Sequence, residues 1–510
     1  MASSNSLICF TNCLLPLEDG SLVERDLWVD ETRGIILDAQ KTFYTRRERP
    51  DRIVDLGGNI LSPGFLDIQL NGAYGFDFSV YEDDDQKYRD GMKKVAEGIV
   101  ETGVTSLLPT IITQEKSIYP KLLSLLKPFA TPTSATLLGW HAEGPFIDMT
   151  KRGAHAPAYL QAAYEDFKSF EDVYGPENLA ESEDWSMSSG QIPAVRLITA
   201  APEVPGVMKA LGELTKRGIA FSIGHSVATS EVATEAVLHG ARLITHLFNA
   251  MPQLHHRDPS IIGLLGASPH LSSPSQTTSV LPCNMNDRIP LLELSKETQT
   301  TEPEQVEPIS PGSSSEAFEA DLALPRRKQT ILSGAPNKPQ RKTSRPTLHL
   351  DKGQVADMPF ERPYYGLIVD GIHCHPNSVR LAYSAFPEGC ILVTDAMKIL
   401  DPHLKDGIHE WRDGKRFVKD GDKLYLEGTT TLAGSVVTLD KCIRNFSKFT
   451  GCSLGEAIKC ATYNPAKCLG IEDKKGTLRP GAHADLVVLD RQGIVLSTWV
   501  RGKEVWTKKE

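Results

Sequence analysis

Positive charge is in short supply. Lys and Arg total 55 against 65 Asp and Glu, a net charge of −10 at pH 7. An acidic chain is a poor partner for nucleic acid or an anionic membrane surface. Long apolar runs are missing too: no stretch reaches the roughly 18 residues of a membrane-spanning helix. The opening MASSNSLICFTNCLLPLEDG has a short apolar stretch with no basic segment before it, which predicts no secretory leader. Cysteine is sparse. The nine present form no C-x-x-C pair, and an odd number fits no complete disulfide framework. Reduced thiols in a cytoplasmic protein are expected.

What is there is ordinary and large. The chain has 510 residues, 40% hydrophobic and 24% charged. It is long enough for one large domain and a smaller one, with a core that needs no disulfide or metal staple. Residues 271–359 stand apart. They hold eleven of the 33 prolines and a single aromatic, Phe318. Such a composition buries too little apolar surface to offset ordering entropy, and a disordered insertion is predicted. Its two basic clusters, Arg326 to Lys328 and Lys338 to Lys342, read as solvated charge in a loop. A nuclear signal or docking site is the alternative.

Outside the insertion, short apolar runs recur. They are Phe65–Leu70, Thr105–Thr110, Leu137–Glu143, Val195–Ala201, Ala220–His225, Arg242–His246, Gly366–Asp370 and Ile391–Asp395. Between them lie segments with three- and four-residue apolar spacing, such as Gln86–Glu101, Val204–Arg217 and Ser230–His239. Strands alternating with helices imply parallel pairing. Eight such units predict an α/β fold, a (β/α)₈ TIM-like barrel with its active site at the C-terminal strand ends. Both chain ends are strand-rich and predict a small β-sandwich built from the two termini. The expected division is 1–62 and 476–510 for the sandwich and 63–475 for the barrel. Residues 411–428 read as an added hairpin turning at KDGD, and Val436–Leu469 as the last outer helices.

The strand ends carry the chemistry. Glu143, His225 and His246 close the third, fifth and sixth runs, and Asp395 closes the eighth. In a barrel these ends share one mouth. One carboxylate and two imidazoles form a three-ligand catalytic zinc set with an open fourth position. Asp395 beside them is placed as proton acceptor and later donor. A lone strand-end histidine is more often a hydrogen-bonded core residue than a ligand; four such ends together are harder to assign to packing. His141 is expected to pack behind the site, and His375, before Pro376, to start a helix. The first run ends in Gln69 and Asn71, poor zinc ligands, which favours one metal over two.

The motifs PGFLDIQLNG (63–72), HAEGPF (141–146), KRGAH (151–155), GHS (224–226) and THLFNAM (245–251) continue with HHRDP (255–259), VDGIH (369–373), TDAM (394–397), LAGS (432–435) and KGTLRPGAHADLVVLD (475–490). In this order they resemble the amidohydrolase superfamily, and within it the family of N-acetylglucosamine-6-phosphate deacetylases. The resemblance covers nearly the whole chain except 271–359. It implies that Glu143, His225 and His246 hold one divalent metal, most simply Zn²⁺, and that Asp395 is the acid/base. His155 helps polarise the acetamide carbonyl. Asn249 and Ala250 form a substrate-binding turn, His373 lies at the sugar and phosphate end, and Arg257 binds phosphate, in relatives from a neighbouring subunit. Gln69 falls among the substrate-binding residues and, with Asn71, matches the subgroup lacking a second metal. The implied protein is a cytoplasmic homodimer in amino-sugar catabolism or salvage, with a phosphorylated amino sugar as its small-molecule partner.

Two other readings compete. The same barrel serves N-acyl amino acid deacylases and cyclic-amide hydrolases; Arg257 with Asn249 and Ala250 suits a phosphate and has no evident use there. A non-catalytic scaffold, with 271–359 as docking arm, is expected to have lost ligands or the acid/base, and all of them are in the sequence.

Overall fold

The computed structural model describes residues 6–181, 194–269, 360–410, 416–429 and 434–509. Eight parallel strands form the barrel wall: β1 (Phe65–Leu70), β2 (Val104–Ile112), β3 (Trp140–Glu143), β4 (Val195–Ala200), β5 (Ala220–Ile223), β6 (Leu243–Ile244), β7 (Tyr364–Ile368) and β8 (Cys390–Val393). Each pairs with the next in chain order, from β1 on β2 through to β7 on β8. The register aligns the business ends: Glu143 sits opposite Ile112 on one side and Thr199 on the other, and Thr199 sits opposite Ser222. The strands are buried on both faces, as parallel strands under helices must be.

The helices form where periodicity and capping agree. Helix α1 (Asp85–Gly98) starts at Asp84, whose carboxylate accepts from the N–H groups of Gln86 and Lys87. The chain then makes a short 3₁₀ turn and enters β2 through Gly103, where φ is +82°. Then follow α2 (Tyr119–Leu125), α3 (Phe167–Tyr174), α4 (Val207–Lys216) and α5 (Ser230–Leu238). After β7 comes α6 (Pro376–Ala385), with His375 as its cap and Pro376 in its first turn. Three helices close the layer: α7 (Leu439–Thr450), α8 (Leu454–Ala461) with a Ser453/Glu456 capping box, and α9 (Tyr463–Leu469).

Both chain ends build two smaller sheets. One has four strands, in order Ile35–Leu37, Leu27–Asp30, Leu7–Thr11 and Arg52–Asp55. The other mixes the termini: Ile60–Pro63 lies between Leu14–Pro16 and Leu486–Leu489. A common core joins them, with Phe10, Leu61, Leu486 and Trp499 buried together. A π-helical turn at Lys41–Arg46 interrupts this strand-rich region and was not foreseen.

Three features differ from the sequence reading. The run Leu137–Glu143 is not one strand; it breaks at Gly139, φ +131°, between Thr136–Leu137 and Trp140–Glu143. The hairpin Arg416–Asp420 with Lys423–Leu426 gains a third strand, Gly407–Glu410. Several strands stop short of their polar end residue, because His225, His246 and Asp395 have left-handed φ values of 50°, 27° and 46° that no ladder accepts. The insertion 271–359, Trp411 to Lys415 and the first half of LAGS lie outside the described residues. Flanking the insertion, Phe360 N–H donates to the Pro269 carbonyl at 2.8 Å. Among the described residues no helix is long and apolar enough to cross a membrane.

A buried ion pair anchors the return to the small sheets. Lys475 and Asp485 are both buried and joined, and Arg501 N–H donates to Asp485 at 2.8 Å. Burial alone raises the Asp485 carboxyl, but the Lys475 ammonium and the backbone donor outweigh it and hold it below the usual carboxylate range. A depressed folded-state pKa contributes stability above the unfolded value of about 3.9, lost as pH falls through the folded value. Asp485→Ala leaves a buried unpaired ammonium. It should cost about 3–5 kcal/mol at neutral pH, read as a lower thermal midpoint, and the gap from wild type should shrink below about pH 4.

Candidate metal centre and active site

The three expected ligands meet. Glu143 ends β3, while His225 and His246 follow β5 and β6; all are buried, and their donor atoms lie within 4.8 Å of one another. Glu143 Oε1 is 2.9 Å from His225 Nε2 and 3.1 Å from His246 Nε2, and the two nitrogens are 3.1 Å apart. Lone pairs converging this closely repel unless a proton or a cation lies among them. Ligand bonds of about 2.0–2.1 Å in a tetrahedron put donor atoms a little over 3 Å apart, so the trio fits a small divalent ion. Burial pulls His246 down, but the Glu143 hydrogen bond and charge outweigh it and push it up to about 9.

The surrounding contacts aim the ligands. His225 Nδ1 lies 2.8 Å from the Lys151 carbonyl, so it carries the proton and leaves Nε2 bare toward the cluster. The Glu203 carboxylate, just beyond β4, accepts from Ser226 Oγ at 2.7 Å and Val227 N–H at 2.6 Å, bracing the turn after His225. Gly224 must lack a side chain: a Cβ would come within 2.7 Å of Thr199 and Thr245. The Gln69 amide faces both Glu143 oxygens at 3.4 Å, a long contact.

Asp395 sits opposite this cluster. Asn71 Nδ2 donates to its Oδ1 at 2.7 Å. Burial first, and the Glu143 charge second, push its carboxyl up to about 6 against the pull of His246 and Asn71. Gln69 and Asn71, at the two expected positions, thus serve the two acids as donors.

His155 is buried beside His225, with ring centroids 4.5 Å apart. Its Nδ1 lies 3.2 Å from Thr113 N–H and 2.7 Å from Thr113 Oγ1. A backbone N–H only donates, so Nδ1 is the bare nitrogen and Nε2 carries the proton. Burial and His225 pull its pKa down to about 3, which keeps the ring neutral. His155 is therefore a fixed neutral N–H donor. Gly144, φ +76°, guards the arrangement, because a Cβ there would meet Thr113 Oγ1 at 2.2 Å.

The remaining candidates are more peripheral. His373 is half-buried; its Nδ1 is 2.6 Å from Asp370 Oδ2, and that contact overcomes burial to raise its pKa. Asn249 is half-buried, its amide 3.4 Å from the Leu247 carbonyl. Ala250, φ 53°, accepts from Ser226 N–H at 3.3 Å. Arg257 is exposed, and its guanidinium has no ion-pair partner among the described residues. Asp258 next to it accepts from Ser230 and Ser260, which fixes that loop on α5. His141 points into the barrel, between the Ile68 carbonyl at 3.1 Å and Thr199 Oγ1 at 2.7 Å. His375 caps α6, as its place before Pro376 suggested. Sequence reasoning missed Thr113, Glu203 and Asp370. Only Asp370 had a signal, three residues before His373.

A carboxylate, two imidazoles and a separate aspartate at the strand ends of a parallel barrel define a hydrolase of the metal-dependent amidohydrolase class. Residues 343–505 match the Amidohydrolase family. Over 500 residues the chain is 36% identical to N-acetylglucosamine-6-phosphate deacetylase of Danio rerio, covering 98% of this chain and 96% of that one. The Homo sapiens protein of that name is 35% identical over 508 residues, with 99% and 97% covered. The chain belongs to the N-acetylglucosamine-6-phosphate deacetylase family. In fold it is similar to the crystal structure of the Pasteurella multocida deacetylase, with a TM-score of 0.65, 23% identity, and 98% and 100% of the two chains covered.

A ligand role for the trio has a direct readout. Glu143→Gln and His225→Ala should each weaken metal binding by at least the ~10–100-fold that outer contacts alone cost, measured as bound metal by elemental mass spectrometry. Chelation should lower the thermal midpoint of the wild type and not that of these variants.

Proposed function

We propose that the protein removes the acetyl group of N-acetyl-D-glucosamine 6-phosphate, giving D-glucosamine 6-phosphate and acetate, with Glu143, His225 and His246 holding one divalent ion, zinc. The observation that carries this reading is the closed triangle of donor atoms facing Asp395, in a chain matched over its whole length by relatives of that name.

An amide is a poor electrophile, and its amine is a poor leaving group until protonated. When bound, the ion supplies a Lewis acid for the acyl oxygen and lowers the pKa of a water toward neutrality. Asp395 takes the proton of the attacking water and delivers it to the departing amine nitrogen. Asn71 keeps Oδ1 of Asp395 occupied, leaving Oδ2 for that transfer. His155, its proton held on Nε2 by Thr113, donates to the acyl oxygen as charge grows there. Asn249 and Ala250 place the sugar by their turn, with His373 at its far end. Arg257 clamps the phosphate with two parallel hydrogen bonds. Its exposure, with no ion-pair partner among the described residues, suits service to the mouth of a second copy, and we place the enzyme in the cytoplasm as a homodimer acting in amino-sugar salvage.

Acetate release tests the reading. Metal-stripped protein should be inactive, and zinc should restore turnover of N-acetylglucosamine 6-phosphate but not of N-acetylglucosamine. Turnover of neither ester nor sugar by folded, metal-loaded protein would overturn the substrate assignment. Asp395→Asn should lose about 10²–10⁴-fold in kcat with metal content unchanged. Arg257→Ala should raise KM for the ester on the order of tenfold, the scale of a lost charged hydrogen bond.

A further inference from the structure

The proposed reaction leaves one buried carboxyl of the site's own strand unused. Asp67 lies inside β1, two residues before Gln69, and is fully buried. Its Oδ2 accepts from Thr394 Oγ1 at 2.6 Å, its Oδ1 accepts from Gln69 N–H at 3.2 Å, and Thr394 N–H stands 3.5 Å away. Thr394 immediately precedes Asp395.

The place matters as much as the bonds. Strands β8 and β1 are the last and first of the barrel, and among the described residues no ladder joins them. The seam is crossed by a bridge between Leu70 and Ala396, by Asp395 N–H on the Gln69 carbonyl at 2.9 Å, and by Asn71 N–H on the Ala396 carbonyl at 2.9 Å. All of these involve the residues just past β8. Asp67 supplies the tie one step deeper. The Thr394 hydroxyl also accepts from Ala396 N–H at 3.3 Å, so the peptide after Asp395 hangs from a hydroxyl oriented by Asp67, while the peptide before it is held by the Gln69 carbonyl. Asp395 itself is held at φ +46°, a conformation that costs of order 1–3 kcal/mol and persists only where neighbours over-determine it.

We infer that Asp67 is a positioning residue: acting through Thr394, it closes the barrel seam and locks the Asp395 backbone so that the Asp395 carboxylate faces the Glu143 cluster. The inference rests on the acid/base reading of Asp395. A carboxylate suits the task because it only accepts: it takes an O–H and an N–H at once with no donor of its own to place. An amide there sets an NH₂ group against one of those donors. Burial pushes the Asp67 carboxyl up to about 7, and the surrounding hydrogen bonds oppose that rise.

The test uses full-length, zinc-loaded protein and N-acetylglucosamine 6-phosphate. Thr394→Val removes the hydroxyl at constant shape, Thr394→Ser keeps it, and Asp67→Asn alters the acceptor. Thr394→Val and Asp67→Asn should each lower kcat about tenfold or more, the scale of a lost orienting contact, with KM and metal content near wild type. Thr394→Ser should restore kcat, and the Asp67→Asn/Thr394→Val double variant should be no worse than the poorer single one. Wild-type kcat in Thr394→Val, with Asp395→Asn inactive, overturns the positioning role alone. So does a parallel loss of kcat, metal and thermal midpoint that Thr394→Ser does not rescue. Retained turnover in Asp395→Asn removes the reaction on which the inference stands.

Discussion

Three electron-pair donors of a buried carboxylate and two imidazoles face one another at about 3 Å, and this repulsion organises the barrel mouth. Left alone, the groups would turn away toward other partners. They are kept in place because each has been fixed from behind. The Lys151 carbonyl holds the proton of His225, Glu203 braces the turn that follows it, and the glycine before it admits close packing against two threonines. A site with its geometry set in advance is one in which a small cation is favoured strongly and the proton is its competitor.

The backbone shows what that preorganisation demands. His225, His246, Phe248, Ala250 and Asp395 all have positive φ at or just past strand ends. Left-handed backbone turns the chain sharply out of the ladder and lets a side chain look inward rather than along the wall. The strain is concentrated where the proposed chemistry needs fixed directions, and it is offset by the large apolar core beneath, into which the strands and the inner faces of the helices are packed. Charge follows the same plan. His155 stays neutral as a donor, whereas His373, backed by Asp370, is biased toward the cation.

Much of this was legible in the residues. Phe65–Leu70 was read with both ends correct, because its apolar run is bounded by a proline–glycine pair and a polar strand end. Glu143, His225, His246 and Asp395 stood out because polar residues closing apolar runs have few structural uses. The rest is tertiary. Thr113 and Glu203 are single residues in ordinary contexts, and only folding brings them against His155 and Ser226. Gly407–Glu410 pairs as a strand because a neighbouring hairpin offers an edge, although its own pattern is weak. The π-helical turn at Lys41–Arg46 has no periodic signature. Five strand ends, at Ala201, His225, His246, Asp370 and Asp395, were overread by a residue or two because sequence shows where a polar group lies and not the φ it adopts, whereas β2 runs two residues past Thr110.

The hydrogen bond from Phe360 to Pro269 has a consequence for how the enzyme is divided. The chain leaves the wall after β6 and rejoins it before β7 at almost the same point, so the wall closes at that step whatever lies between. The described barrel wall is built from two pieces of chain, one before Pro269 and one after Phe360. The first carries Glu143, His225, His246 and His155; the second carries Asp395 and His373. Neither piece holds both the metal ligands and the proton carrier, so the assembled centre reports that the two halves of the barrel have found each other.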